Sequence, residues 1–335
     1  MFIRNFFFFT TMKFGYYIRT PLNYPEIRDL TVKAEKLGFD SAHINDHLIG
    51  FDSARDKKEP YLESMMLLAA LATETKKVKL GHIVICNSLR NPTYLAKMIS
   101  TLDNISNGRA LLWLGAGWYE EEYKAYGYPF PSPKGRVDEL EESLTIYKKM
   151  FTEDVTDFNG KFWKLERNRN FPKPIQKPYP QIVLGTSGKR MIDIACREAD
   201  GVNLGYPSQN IFMKTQLSSK IAEINEILNK YNKERANFEI SIFTRFTIVK
   251  DQEDFDKKIE EIIKNAPGPM KPTKEYLIEH QFIGFPEDIK QKVIEFENMG
   301  IDKIVLSIAE SDLEDPLLQF SNTVNLLNSI NREKD

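Results

Sequence analysis

The run "KVKLGHIVICNSLRNPTYLAKMISTLDNISNGRALLWLG" (residues 77–115) decides the fold. An apolar, β-rich stretch (77–86) gives way to a helical one (91–106), and that to a second buried strand (108–115). Pro92 sits at the head of the helical segment, where its missing N–H costs nothing. A strand, a helix and a second strand in this order form a parallel pair joined by a right-handed crossover.

Outward from this unit the same alternation repeats. Upstream, "KFGYYI" (13–18) precedes a helix over 25–38 that opens at Pro25 and closes at Gly38, and "SAHIN" (41–45) precedes a helix over 61–75. After a helix over 136–151, "QIVLGT" (181–186) leads into helix 188–198, and "DGVNL" (200–204) into helix 208–232. "FEISIFTRFTIV" (238–249) leads into helix 252–264, and "DKIVLSI" (302–308) follows helix 286–299 and precedes a closing helix over 315–331. Eight strands in alternation with helices read as an α/β chain folded into a (β/α)₈ TIM barrel, in preference to an open doubly wound sheet. Segments 116–180 and 250–285 read as insertions at βα loops. Residues 13–335 then form one barrel domain behind an irregular extension, residues 1–12. The phenylalanines of that extension make too short an apolar core for a signal peptide, and translation starts at either Met1 or Met12.

With 41% hydrophobic and 28% charged residues and a formal net charge of −2, nothing marks nucleic acid as a partner. No apolar run approaches the roughly 18 to 20 residues that a membrane span needs. The two cysteines, Cys86 and Cys196, form no CxxC pair, which suits a reducing cytoplasm. No metal site is expected: His43 and His47, four apart on a strand, are separated by roughly 13 Å, and His82 lies inside its strand.

A barrel places its chemistry just past the C-terminal ends of its strands. The second strand delivers Asp46, His47 and Phe51, and the third delivers Cys86, Asn87, Ser88 and Arg90. The fourth ends in Gly115-Ala116-Gly117-Trp118 and the fifth in Gly185-Thr186-Ser187-Gly188-Lys189-Arg190. Gly115-Ala116-Gly117 imitates the start of a dinucleotide fingerprint, but Glu120 stands where the third glycine belongs. The fifth-strand turn is an anion site, typically for phosphate, because it offers free N–H groups at the positive end of a helix. The competing reading is that Thr186 or Ser187 merely caps that helix. His47 is the candidate acid or base, against the alternative of a structural histidine bonded to a loop. The polar break after "IVIC" suits a bulge that brings backbone against a ligand, and Cys86 reads as a buried, inert thiol.

The density of short motifs in 87–144 supports a resemblance. Arg-Asn-Pro (90–92), Leu-Ala-Lys (95–97), Thr-Leu-Asp (101–103), Ser-x-Gly-Arg (106–109) and Gly-Ala-Gly-Trp (115–118) together resemble the luciferase-like monooxygenase superfamily. Residues 33–49 and 178–205 are similar to two further signatures, so the resemblance runs from 13 to about 310. It implies a (β/α)₈ barrel that binds FMN or the deazaflavin coenzyme F420, with the phosphate at Gly185, Thr186, Ser187 and Gly188. "GAGWYEEEYKAYGYPFP" (115–131) is most similar to the coenzyme F420-dependent subgroup. That subgroup implies Asp46 and His47 beside the coenzyme, with His47 as acid or base for the substrate oxygen. It also implies a bulge with a cis peptide around Ile85, Cys86 and Asn87, and Gly115 and Gly117 leaving room for the flat ring system. Phe51 and Trp118 would line the substrate pocket, and Lys189 and Arg190 would either help hold the coenzyme's anionic tail or stand solvated at the helix start. The implied reaction is hydride transfer between deazaflavin C5 and a small organic substrate. The alternatives are an FMN-dependent two-component monooxygenase of the bacterial luciferase type, or a flavin-binding member without turnover. A homodimer through barrel helices, and a flavin or F420 reductase partner, are further family expectations. Sugar-phosphate dehydrogenases of the subgroup carry tryptophan where Phe51 stands and glutamate where Trp118 stands, which argues against that substrate here.

Overall fold

A computed structural model describes residues 12–50, 61–205, 214–265 and 271–308. The chain runs β1 (Lys13–Ile18), α1 (Tyr24–Lys36), β2 (Ser41–Ile44), α2 (Ser64–Glu74), β3 (Lys79–His82), β4 (Ile85–Cys86), α3 (Pro92–Ile105) and β5 (Leu112–Gly115). It continues through α4 (Glu120–Ala125), α5 (Pro133–Thr152), β6 (Thr156–Asn159), β7 (Lys164–Asn168), β8 (Ile182–Gly185), α6 (Lys189–Glu198), β9 (Gly201–Asn203) and α7 (Lys214–Lys230). Then come β10 (Glu239–Ile248), α8 (Gln252–Asn265), α9 (Lys274–His280), β11 (Phe282–Gly284), α10 (Pro286–Asn298) and β12 (Lys303–Ile308).

The main sheet has the order β3-β2-β1-β12-β10-β9-β8-β5-β4, with every pairing parallel. β3 and β4 are two halves of one stave, separated by a cis peptide between Ile83 and Val84. The first half pairs with β2 and the second with β5. Backbone bonds from Leu80 N–H to the Arg109 carbonyl and from Leu111 N–H to the Leu80 carbonyl, each 2.9 Å, close the ring. The eight-strand reading therefore holds: the fold is a (β/α)₈ barrel.

Period-two alternation explains which side chains go where. In and beside β5, Leu112 and Leu114 pack outward into the large core under the helices. Leu111 and Trp113 face the other way and join Val183 and Val305 in a separate cluster inside the barrel. Helix starts are fixed locally. Asn23 and Glu26 form a reciprocal capping box on α1, and the Asn91 side chain accepts from Thr93 N–H and Tyr94 N–H ahead of Pro92 on α3.

The insertions hold more regular structure than their sequences suggest. Within 116–180 lie the short helix α4 and an antiparallel hairpin, β6–β7. The hairpin strands are mostly exposed, so they lack the apolar alternation that would mark them in sequence. Within 250–285, β11 adds to β10 in parallel beyond the barrel ring. A separate cluster formed by Val249, Phe255, Ile259, Leu277 and Ile283 packs this region. Residues 1–11 of the extension and the closing helix over 315–331 lie outside the described residues.

Candidate active site

A cavity of about 320 Å³ opens where the staves end. It brings together Asp46, His47, Cys86, Gly115, Gly117, Trp118, Gly185 and Thr186, all selected as site residues from the sequence. Phe51 lies outside the described residues.

Asp46 anchors this rim. One carboxylate oxygen accepts from Ser64 Oγ at 2.7 Å and Arg90 Nη2 at 2.8 Å. The other accepts from Cys86 N–H at 2.9 Å and from Arg90 Nη1. Burial works to raise this carboxyl, but the Arg90 guanidinium and these hydrogen bonds outweigh it and hold Asp46 below its ordinary value. Its acceptor capacity is spent on the protein. Asp46 therefore ties the exit of β2 to β4 through bonds within the protein.

The cis bond lies between Ile83 and Val84, two residues before the position read from the sequence. There the chain presents Val84, and the two glycines opposite exist to receive it. A Cβ on Gly115 would come within 2.6 Å of Val84 Cγ2, and one on Gly185 within 2.7 Å of Val84 Cγ1. The room expected at Gly115 for a ring is thus filled by Val84, which itself lines the cavity. Gly117 has a similar task. Its φ of +86° favours glycine, and a Cβ there would collide with the Tyr123 hydroxyl and lie 2.8 Å from Cys86 Sγ.

Asn87 is not among the residues that line the cavity. It is buried away from the cavity lining, where Tyr147 Oη donates to its carbonyl at 2.7 Å and its amide donates to Ser143 Oγ at 3.2 Å. Those bonds join the β4 exit to α5. Cys86 lies at the cavity with its thiol 2.9 Å from Tyr123 Oη, and burial pushes the thiol up, which fits the inert reading.

The turn after β8 carries α6, whose first residue is preceded by Gly188 as N-cap with no side-chain cap. Thr186 Oγ accepts instead from Gly188 N–H at 3.1 Å. Neither Thr186 nor Ser187 caps the helix, so the first N–H groups of α6 stay available to an anion. Gly185 and Thr186 line the cavity, and Ser187 and Gly188 continue from it to the helix start. Arg190 turns elsewhere: it pairs with Asp138 at 2.6 Å and Glu141 at 3.0 Å, so it is not the expected partner of an anionic tail. Lys189 is exposed beside it.

His47 lines the cavity with its ring edge-on to Trp118, at 6.0 Å between centroids, while Trp118 stacks on Tyr119. Its Nδ1 lies 3.3 Å from Glu122 Oε1. Sequence reasoning missed Glu122, the third of three consecutive acids in "YEEEY". The signal available was helical spacing: on α4, Glu122 and Tyr123 turn inward while Glu120 and Glu121 are exposed.

The other buried histidines stay out of this chemistry. His43 bonds Ser41 Oγ at 2.9 Å, and burial pushes His43 down to about 3 and His82 to about 4. Among the described residues, no group of three or more His, Cys, Asp or Glu side chains is placed to hold a metal ion.

The profile of the family described as luciferase-like monooxygenase matches residues 4–303. The chain belongs to this family. Over 179 residues it is 32% identical to the F420-dependent glucose-6-phosphate dehydrogenase of Intrasporangium calvum, a match covering 52% of each chain. The chain therefore spans about half the length of that relative. It is 25% identical over 308 residues to the FMNH(2)-dependent dimethylsulfone monooxygenase of Pseudomonas putida, covering 83% of this chain and 81% of the relative. In fold it superimposes on an F420-dependent secondary alcohol dehydrogenase with a TM-score of 0.79 at 18% identity, over 95% of this chain and 99% of that one. Its relatives are thus oxidoreductases and monooxygenases using either F420 or FMN. No helix among the described residues is long and apolar enough to cross a membrane.

Proposed function

We propose that the chain is a coenzyme F420-dependent oxidoreductase acting on a small organic substrate. One observation carries this reading: His47, a proton-transfer group, shares a single cavity with the turn that leads to the uncapped start of α6. The cavity lies within the size range of small-molecule and cofactor sites, roughly 300 to 1,000 Å³.

The residues present fit a phosphate-bearing coenzyme. The head of α6 and Thr186 would hold the phosphate, and Val84 and the Gly115–Gly117 stretch would face the ring system. When bound, the coenzyme would accept or supply a hydride at C5. The protein's own part is to orient the substrate and manage its proton. His47 would take the proton of a substrate hydroxyl or return it to the oxygen. Trp118 and Tyr119 would supply an apolar wall beside it. The identity to an F420-dependent relative supports this choice of coenzyme.

A second reading is an FMN-dependent monooxygenase served by a separate flavin reductase. It is favoured by the longer match to the dimethylsulfone monooxygenase. Mass spectrometry of small molecules released from the protein purified from its own host separates the two. Release of the deazaflavin coenzyme is expected, and release of FMN alone overturns the first reading.

A further inference from the structure

Glu122 is an acidic side chain with 2% exposure, and among the described residues no lysine or arginine lies within ion-pairing distance of it. A buried carboxylate needs donors or a positive partner. Its Oε1 receives Leu48 N–H at 2.6 Å and Ile49 N–H at 3.4 Å, so the turn after β2 pins that oxygen from one side. His47 Nδ1 approaches the same oxygen at 3.3 Å. The next residue on α4, Tyr123, places its hydroxyl 2.9 Å from Cys86 Sγ and 2.5 Å from Ser88 Oγ, at the exit of the neighbouring stave. The short helix α4 is thereby held against two stave exits at once, and Glu122 sits at the one that bears His47.

We infer that Glu122 is a positioning residue that holds His47 in the tautomer protonated on Nδ1. An ionised carboxylate only accepts hydrogen bonds, so the imidazole nitrogen facing it must carry hydrogen. In the neutral ring the lone pair then resides on Nε2, and His47 is set as a proton acceptor through that atom. The carboxylate keeps the ring in this orientation throughout proton transfer at Nε2, since its oxygen is already fixed by backbone. This deepens the proposed function, resting on its assignment of His47 to proton transfer. It also gives the chain an acid that works through His47, in place of one standing at Trp118.

The test uses the coenzyme-free full chain labelled with ¹⁵N-histidine. With four histidines in the sequence, the imidazole spectrum is simple, and His47→Gln assigns its signal. The expected result is the Nδ1–H tautomer for neutral His47 in the wild type. It should persist in Glu122→Gln, whose carbonyl oxygen still meets the two backbone donors, and be lost in Glu122→Leu. A wild-type His47 in the Nε2–H tautomer overturns the inference, as does an unchanged tautomer in a folded Glu122→Leu protein. If Glu122→Leu does not fold, the wild-type spectrum decides alone. Because no coenzyme or substrate is present, this result is independent of whether the F420 reading survives.

Discussion

Asp46 grips the Arg90 guanidinium with both carboxylate oxygens while accepting the backbone N–H of Cys86. This pair couples the exit of β2 to the segment after β4. Arg90 keeps only 12% side-chain exposure, so removing its bidentate partner leaves a largely buried charge with only Glu63, at 3.3 Å, to pair it among the described residues. Asp46→Ala should cost about 3–5 kcal/mol of unfolding free energy. Urea denaturation checks this, and a loss below about 1 kcal/mol would show that the pair does not hold the rim together.

Val84 and Gly185 form a size-complementary pair. Gly185→Ala alone should destabilise by about 1–3 kcal/mol, because the new methyl meets Val84 Cγ1 within 2.7 Å. Adding Val84→Ala should return part of that loss, giving a favourable coupling of about 0.5–3 kcal/mol in a double-mutant cycle. Strict additivity would contradict the packing described here.

His43 and His82 make stability depend on pH. Burial lowers them to about 3 and about 4 in the folded chain, below the ordinary value of about 6.5. The unfolded chain therefore binds more protons as pH falls below about 6.5. Their contribution is complete above that pH and is lost as pH falls toward 4 and then 3, by about 1.4 kcal/mol per pH unit for each ring. Among the described residues, neither ring nitrogen of His82 has a hydrogen-bond partner. His82→Leu should accordingly flatten the stability–pH slope between about pH 6 and 4 while leaving stability near pH 7 unimpaired. An unchanged slope would show that His82 is not held neutral by the fold.

His47→Ala should lower turnover by about 10²–10⁴-fold with whatever substrate the enzyme is found to use. Coenzyme binding should stay within a few-fold of wild type. Unchanged turnover would remove His47 from the chemistry and return it to a structural role.

The barrel was legible because a strand covered by helices must be apolar along its length, as "ALLWLG" (110–115) and "QIVLGT" (181–186) are. The β6–β7 hairpin was not, since its strands bury too little to impose a pattern. At the site, the strand-end rule located His47, Gly117 and Thr186. It could not say that Asp46 spends its oxygens on Arg90, or that Asn87 faces Tyr147, because those bonds span 44 and 60 residues. Glu122 was hidden for the same reason. Three acids in a row look like a solvated face until the fold shows that one of them turns toward a loop 74 residues earlier.

Side-by-side titration of the coenzyme-free protein with coenzyme F420 and with FMN, followed by fluorescence, tests the central claim most directly. The account predicts saturable binding of coenzyme F420 at least about tenfold tighter than FMN, a difference of about 1.4 kcal/mol. Equal affinities, or tighter binding of FMN, would contradict it.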